Sequence, residues 1–277
     1  MVKGDMIMKR PILTTIFLSL FLCSQAWAGD LVLHLNMNEA SGNLTDLSGH
    51  GNNCTSNGGP DYSQAGAPNR GTAIGFDGST DWFNCGTGSS LDLTGNFTIM
   101  AWVYPQIAAF GGIVSHDNGS SAATISWMLN MTTSPSMQGR ISNGTTTYSI
   151  NSNVLLLNQW YHTSFVVSST QLLLYMNGTV NTATRTAYAQ SQPTWTIKLG
   201  KYGSWYAQAR IDDIKVYNYA ISAIQIQHEY QQSRLAISKK HEPWKWTDLL
   251  NLAFIMKGDQ LYEKNQRISY LRQHPIN

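Results

Sequence analysis

The glutamates and histidines of the sequence do not show the spacing of a hydrolase active site. A glycoside hydrolase needs two neighbouring carboxyl groups, one acting as an acid and the other as a nucleophile or base. Between residues 29 and 233 the only glutamates are Glu39 and Glu229, which lie near opposite ends of that segment. Histidines such as His162 stand alone, without the motif of a serine or cysteine nucleophile beside them. We therefore expect a protein without catalytic activity.

Two aspartates point instead to a calcium ion. Asp212 alternates with Ile214 and Val216 in a predicted strand, so a period of two places its carboxylate on the packed face of the sheet. A buried carboxylate needs a cation or several hydrogen-bond donors. Asp46 lies in an Asp-x-Ser-Gly turn near the start of the chain, and Ca²⁺ prefers oxygen ligands of this kind. The alternative is that Asp46 caps its own turn and that Asp212 accepts backbone N–H groups.

The segment Lys201–Tyr206 carries three aromatic side chains that could bind a sugar ring. Tyr202, Trp205 and Tyr206 stand among glycine and serine in a turn-rich stretch. Such a stretch has little core to fill, and flat aromatic faces with a polar tip suit a partly wet binding surface. The alternative is that the rings fold back onto the edge of the domain. We take these three residues as candidate ligand-binding residues.

The N-terminal residues 1–28 have the organisation of an export signal. The basic pair Lys9-Arg10 precedes the apolar run Pro11–Leu22, and a small-x-small motif then ends at Ala28. This pattern predicts cleavage before Gly29 and release to the periplasm or the exterior. The apolar run is too short to cross a membrane, which takes about 20 residues.

Cys54 and Cys85 are the cysteines that remain after removal of the signal. Two cysteines in an oxidising compartment usually pair. Closing a loop of this size stabilises the folded state by roughly 3–4 kcal/mol. The sequence therefore predicts a Cys54–Cys85 disulfide, with two separate, inert thiols as the alternative.

Most of the chain reads as short β-strands. Eleven such runs lie between Leu31 and Tyr217, and clusters of glycine, asparagine, proline and serine break them about every ten residues. The run Phe97–Tyr104 is apolar at both odd and even positions, which predicts a central strand. The pair Asn177-Gly178 favours a tight hairpin turn of type I′. The many strands without crossover helices predict an all-β, two-sheet antiparallel sandwich of the jelly-roll type.

One short helix is predicted to close the domain. Ser222 is a favourable N-cap, and Gln225 three residues later completes a capping box. Ile221 and Ile226 occupy the two positions of a hydrophobic staple. We expect the helix to span Ala223–Tyr230 and to pack at the edge of the sandwich.

Six segments in chain order resemble the signature segments of one family. They are Leu35-Asn-Met-Asn-Glu-Ala-Ser-Gly42, Asp46-Leu-Ser-Gly-His-Gly-Asn52, Gly75–Trp82, Phe97–Pro105, Trp160-Tyr161-His162 and Ile211–Ser222. Together they make the stretch from Leu31 to Tyr230 similar to the laminin-G-like domain of the concanavalin A-like lectin and glucanase superfamily, of the secreted bacterial type. Each motif alone is weak, whereas six in order are specific.

The resemblance implies a jelly roll whose two chain ends meet. Asp46 and Asp212 would then lie together and, with oxygens from Asn38 and His50, would surround a structural calcium ion. The family includes carbohydrate-binding, adhesive and protein-recognising members, so fold alone does not define the ligand. We expect an exported, non-catalytic, lectin-like module that binds carbohydrate or a cell-surface glycan. A polysaccharide lyase or glycosidase is the enzymatic alternative.

Charge divides the mature chain into two parts. Residues 29–233 hold 7 Lys+Arg against 11 Asp+Glu, whereas the extension 234–277 holds 8 against 4. The larger part lacks the basic stripe of a nucleic-acid-binding domain. The extension reads either as two amphipathic helices or as a disordered segment, and its basic charge suits a protein partner or an anionic envelope surface. This leaves an adhesion or assembly protein as a second functional hypothesis.

Overall fold

The structure is a computed structural model that describes residues 29–185 and 188–238. The predicted signal, residues 1–28, lies outside these ranges, as does the predicted extension beyond residue 238. Within the described residues the chain forms seventeen strands, numbered in chain order: β1 (Leu31–Leu35), β2 (Thr55–Asn57), β3 (Asp61–Ala65), β4 (Thr72–Asp77), β5 (Trp82–Asn84), β6 (Phe97–Pro105), β7 (Gly111–Asp117), β8 (Ile125–Met131), β9 (Met137–Ser142), β10 (Thr147–Asn151), β11 (Tyr161–Val167), β12 (Gln171–Met176), β13 (Thr179–Thr184), β14 (Ile197–Leu199), β15 (Lys201–Tyr202), β16 (Trp205–Tyr206) and β17 (Gln208–Tyr217). One α-helix, α1, spans Ala223–Ser238, and two 3₁₀ turns span Ser89–Leu91 and Ala122–Thr124.

The strands form two antiparallel sheets packed face to face. The first sheet has the order β13-β12-β11-β6-β17-β4-β3, and β1 pairs with the other end of β17. The second sheet has the order β10-β9-β8-β7-β14-β5-β2. The short strands β15 and β16 pair only with each other as a hairpin. This arrangement confirms the predicted all-β sandwich.

The core lies between the two sheets. Strand β6 is central in the first sheet, between β11 and β17, as its apolar sequence predicts. Phe97 on β6 contacts Trp127 of the second sheet and Phe165 of the first, with ring centroids 5.8 Å and 6.2 Å apart. Gly139 lies directly over the Phe165 ring, where a Cβ atom would come within 2.2 Å of it. The two sheets are therefore joined by large aromatic side chains that fit against a glycine.

The helix α1 covers part of the outer face of the first sheet, which is the face turned away from the core. The capping box forms as predicted, because the backbone N–H of Gln225 donates to Ser222 Oγ and Gln225 Oε1 accepts from the backbone N–H of Ser222. Ile221 and Ile226 are both buried, and they pack in one cluster with Met100 of β6. The helix continues beyond residue 230, its predicted end, so the predicted domain boundary at 233/234 falls within it. In the described part of the chain, no helix is long and apolar enough to cross a membrane.

The predicted disulfide between Cys54 and Cys85 is present. Both cysteines are buried, and they flank the short ladder in which Thr55 of the edge strand β2 pairs with Asn84 of β5. The bond therefore connects an edge strand that has few backbone hydrogen bonds of its own to the interior of the second sheet.

Candidate functional site

The aromatic segment predicted to bind a ligand forms the β15–β16 hairpin, which lies on the outer face of the second sheet. A glycine in β7 permits the close approach, because a Cβ atom on Gly112 would be 2.3 Å from the backbone carbon of Lys201. Ser115 Oγ donates to the Lys201 carbonyl oxygen over 2.7 Å. At the turn, the backbone N–H of Gly203 donates to Asp117 Oδ1 over 2.9 Å. The position of the hairpin is thus determined by strand β7.

Tyr202 is not available to a ligand, which corrects the sequence-based assignment. Its side chain is 3% exposed and packs against Ile125 and Met128 of β8. Burial is the main cause that raises the pKa of its hydroxyl above the ordinary value. Tyr202 therefore anchors the hairpin, as the alternative interpretation of the segment proposed.

Trp205 is the exposed aromatic residue of the hairpin. Its side chain is 47% exposed, and its ring contacts Phe110 of the β6–β7 connection with centroids 5.5 Å apart. Trp205 lies opposite Tyr202 in the hairpin, so both side chains belong to the same face. We name Trp205 and Phe110 the hairpin pair. Phe110 carries no signal in the sequence, because it stands alone in a loop remote from the aromatic segment.

Tyr206 points to the other face of the hairpin, together with Lys201. Lys201 Nζ donates to the Tyr206 hydroxyl oxygen over 2.8 Å and lies 4.5 Å from the centre of its ring. The same ammonium group lies 4.9 Å from the ring centre of Trp82 at the start of β5. The two cation–π contacts fix the lysine between the rings. The structure thus separates the three predicted aromatic residues: Trp205 is exposed, Tyr206 contacts a lysine and Tyr202 is buried.

Asp46, a predicted calcium ligand, already has a full set of hydrogen-bond donors. Its Oδ1 accepts from the backbone N–H groups of His34 and Ser48, over 3.0 Å and 2.9 Å. Its Oδ2 accepts from Ser48 Oγ and from the backbone N–H of Asn52, over 2.8 Å and 2.9 Å. Burial alone would raise the pKa of Asp46, but these donors lower it below the ordinary value. A carboxylate has about four acceptor sites, so Asp46 has none left for a metal.

Asp212 is fully buried, but its side chain lies on the outer face of the first sheet and not on the core face that the sequence predicts. It pairs with Trp102 of β6, whereas Ile211 and Ile214 on either side belong to the core. The strand has a bulge between residues 212 and 215, and Asp213 adopts a left-handed backbone with φ of 43°. The extra residue reverses the alternation of side chains along the strand. Asp212 therefore faces outward, and the side chains above the sheet bury it.

One oxygen of Asp212 has a hydrogen-bond partner and the other has none among the described residues. Oδ2 accepts from the backbone N–H of Ala67 over 2.9 Å, whereas Oδ1 is buried without a donor. Burial is the main cause that raises the pKa of Asp212 to about 7, and the neighbouring Asp213 carboxylate raises it further. Asp213, in contrast, forms ion pairs with Arg70 and Lys215 and a hydrogen bond with His34 Nε2.

The other two predicted metal ligands form hydrogen bonds in separate places. Asn38 Oδ1 accepts from the backbone N–H of Thr72, and the backbone N–H of His50 donates to Ser48 Oγ. In the described ranges no group of three or more His, Cys, Asp and Glu side chains is placed to hold a metal ion. The four predicted residues do not fit a shared calcium shell, because Asp46 is saturated by hydrogen bonds.

The groups that would serve catalysis lie in separate environments. Glu39 accepts from the backbone N–H of Thr45, whereas Glu229 on α1 forms an ion pair with Lys215. His162 is buried beneath α1, and its pKa is lowered to about 3, first by burial. Glu39 and His162 therefore lie apart from Glu229, whose partner Lys215 also contacts Asp213.

A family model described as the concanavalin A-like lectin/glucanases superfamily, Laminin_G_3, matches residues 77–227. A comparison with curated proteins finds no significant match. The matched residues run from the end of β4 into α1. They include most strands of both sheets, the hairpin pair and Asp212, but not β1, β2 and β3.

Solved structures share the fold at low sequence identity. One is the binding domain of Paraclostridial Mosquitocidal Protein 1, at 16% identity and a TM-score of 0.58, with 73% of this chain and 52% of that chain covered. A second is from botulinum neurotoxin type C, whose cell entry depends upon interaction with two ganglioside molecules, at 13% identity, a TM-score of 0.56, and 74% and 51% covered. A third is the binding domain of botulinum neurotoxin DC in complex with rat synaptotagmin II, at 12% identity, a TM-score of 0.58, and 74% and 52% covered. This chain spans about half the length of these structures, and at such identity the likeness establishes the fold alone.

Proposed function

We propose that this chain, which belongs to the concanavalin A-like lectin/glucanases superfamily, is an exported, non-catalytic module that binds carbohydrate. The observation that carries the proposal is the hairpin pair. A tryptophan that is 47% exposed, and that packs against Phe110 on one side, presents a rigid apolar face to solvent. Such a face suits the apolar side of a sugar ring, and a large aromatic side chain contributes strongly to binding at low cost in conformational entropy.

The arrangement of the hairpin supports a binding role over a catalytic one. A polysaccharide lyase of this fold would need an accessible tyrosine as its base, but Tyr202 is buried and its pKa is raised. A glycosidase would need two close carboxyl groups that are free to act on a sugar, but Glu229 and Asp213 both form ion pairs with Lys215, and Glu39 accepts from Thr45. Rigid anchoring of an exposed tryptophan, in contrast, is what a preorganised binding site requires.

The solved structures are compatible with a glycan or a protein as the partner, since one is described with gangliosides and another with synaptotagmin II. We favour the glycan because an exposed tryptophan ring held beside a second aromatic ring offers a flat apolar face that suits one sugar ring. Adhesion or assembly through the basic extension stays a prediction, since residues 239–277 lie outside the described ranges.

We expect Trp205→Ala to lower the affinity for the bound glycan by about tenfold or more, as is typical when a central aromatic residue of a binding site is truncated. The measurement is a glycan array and a polysaccharide pull-down on the mature chain, residues 29–277. Tyr188→Ala is the matched control, because Tyr188 is 49% exposed yet lies outside the hairpin pair. Binding that is unchanged in Trp205→Ala, or lost equally in both variants, would contradict the assignment of this site.

Export is part of the proposal and has its own test. The signal pattern places the first residue of the mature protein at Gly29. Mass spectrometry of the secreted or periplasmic product should therefore give the mass of residues 29–277 with one disulfide. A product that retains the Lys9-Arg10 segment would show that the chain is not processed as proposed.

A further inference from the structure

Three side chains form a row across the outer face of the first sheet, outside the cluster that α1 covers. Arg210 on β17 pairs with Tyr104 on β6, and its two neighbours in the strand, Ala209 and Ile211, belong to the core. Arg210 and Tyr104 therefore face away from the core. Trp160, directly before β11, contacts Tyr104 edge to face with ring centroids 5.5 Å apart. We name Arg210, Tyr104 and Trp160 the Arg210 row.

The guanidinium group of Arg210 is held in place but has no acidic partner. Its Cζ lies 4.8 Å from the ring centre of Tyr104, and its Nε is buried without a hydrogen-bond acceptor. Among the described residues, no carboxylate lies within 4.0 Å of the Arg210 nitrogens. Arg70 and Lys215, in contrast, each form an ion pair with a carboxylate. Arg210 thus keeps its terminal N–H groups for a ligand.

The acidic residue on the same face does not neutralise Arg210. Asp61 on β3 lies across Gly75 from Arg210 in the sheet register. Its oxygens accept hydrogen bonds from Ser63 and Gln64. These donors are the main cause that lowers the pKa of Asp61, and the charge of Arg210 contributes least. The two charged groups are therefore neighbours and not an ion pair.

The chemistry of the row defines the ligand. A guanidinium group binds a carboxylate through two parallel N–H···O bonds, and stacking on a tyrosine ring orients it for that contact. Trp160 and Tyr104 supply aromatic surface beside it. We propose that the Arg210 row is a second binding site, which takes an acidic polysaccharide with a uronate carboxylate on Arg210 and the adjacent sugar ring on Trp160. This inference rests on the proposed carbohydrate-binding function for the class of ligand, but it uses different residues from the hairpin pair.

The shape of the surface suits an extended chain. The row runs across the strands, and strands in a sheet are about 4.8 Å apart, so the five strands from β3 to β11 span about 19 Å. Gly75 lies between Asp61 and Arg210 in the sheet register, and the side chain of Gln64 packs over it. A linear polysaccharide can therefore lie across the strands, whereas the bulk of α1 borders the row on one side.

The test compares acidic polysaccharides with their neutral forms. Polygalacturonate, alginate and hyaluronan, each with its methyl-esterified form, are titrated against the mature chain by isothermal calorimetry. We expect at least one of the acids to bind about tenfold or more tightly than its ester, and we expect added salt to reduce this preference. Arg210→Gln should remove the preference for the acid over the ester. Arg210→Lys should retain only part of this preference, because the lysine ammonium group cannot donate two parallel hydrogen bonds to a carboxylate. Trp160→Ala should weaken the acid and the ester alike.

Matched variants separate this inference from the proposed function. Arg140→Gln is the control for charge, because Arg140 is another half-buried arginine, on the second sheet. Trp205→Ala should leave the preference for the acid intact. The inference is overturned if no acid binds more tightly than its ester, or if the preference survives Arg210→Gln. In that case, neutral glycan binding that depends on Trp205 would still support the proposed function.

Discussion

Asp212→Asn is expected to stabilise the protein relative to the native chain, by an amount that grows to about 4 kcal/mol between pH 4 and pH 8. The cause is the buried carboxyl group, whose pKa is raised to about 7, first by burial and further by the charge of Asp213. Its hydrogen bond from Ala67 and the charge of Arg70 act in the opposite direction and are outweighed. Asparagine retains an acceptor for Ala67 but removes the charge.

The stabilising sign of Asp212→Asn follows from the different pKa values of the Asp212 carboxyl group in the folded and the unfolded chain. Below about pH 4 the carboxyl group is protonated in both the folded and the unfolded chain, so ionisation does not affect stability. Between about pH 4 and pH 7 only the unfolded chain ionises, and the free energy of unfolding falls as the pH rises. Above pH 7 the carboxyl group is ionised in both states, so the free energy of unfolding that Asp212 costs the native chain has reached its full value. Burial lowers the pKa of His162 to about 3, so this residue makes the free energy of unfolding rise with pH over much of the same range. His162 is present in both proteins, and its contribution therefore cancels when the two free energies are subtracted.

The measurement is urea unfolding of both proteins at a series of pH values, with the difference in unfolding free energy plotted against pH. Asp213→Asn is the matched control, because asparagine also tolerates the left-handed backbone of that position. Burial acts to raise the pKa of Asp213, but its contacts with His34, Lys215 and Arg70 lower it. Asp213→Asn should therefore destabilise the protein at neutral pH and lose its effect toward acid. A flat difference for Asp212→Asn would refute a buried, unpaired carboxyl group.

Thermal unfolding of the native chain and of Asp212→Asn, in calcium and in chelator, tests the predicted calcium ion. Asp46 has no acceptor left, but Asp212 Oδ1 lacks a donor among the described residues. If millimolar calcium raises the melting temperature of the native chain, if a chelator reverses this rise, and if Asp212→Asn abolishes it, then Asp212 binds the metal without Asp46. If calcium and chelator give the same melting temperature, the sequence-based metal site is wrong.

Removal of the disulfide is expected to lower the free energy of unfolding by about 3–4 kcal/mol, the entropy of closing a loop with a sequence separation of 31 residues. For a domain of this size the melting temperature should fall by roughly 10 °C. Both cysteines are buried among apolar side chains, so alanine is the substitution that adds no unpaired polar group. The measurement is calorimetry of the Cys54→Ala/Cys85→Ala double variant.

Two comparisons isolate the effect of the cross-link from that of the lost sulfur atoms. The native chain with its disulfide reduced should melt near the temperature of the double variant, because both lack the cross-link. Adding reductant to the double variant should change nothing. A reduced native chain that melts like the oxidised one would show that the edge strand β2 does not depend on the bond.

The sequence determines the features of this protein that depend on local patterns. Alternating apolar residues, glycine and asparagine turns, and the Ser222–Gln225 capping box each report on a few neighbouring residues, so the sandwich, most of its strands and the start of α1 are predicted correctly. The disulfide is also predictable, since two cysteines allow only one pairing. Strand β7 (Gly111–Asp117) is absent from the prediction, because its two initial glycines resemble a turn, and only its place between β8 and β14 makes it a strand.

The tertiary structure decided which chemistry-bearing side chains are available. A single bulge turned Asp212 to the other face of its strand, and one glycine, Gly112, let the hairpin approach closely enough to bury Tyr202. Neither the bulge nor the close contact has a local sequence signal, because each depends on a partner strand far away in the chain. Arg210 likewise has no signal in the sequence. It becomes a candidate binding residue because strand pairing places it beside Tyr104, where no carboxylate of the described residues forms an ion pair with it. Residue type and period are local, whereas burial and partnership arise from contacts between distant segments, and here those contacts determine the candidate sites.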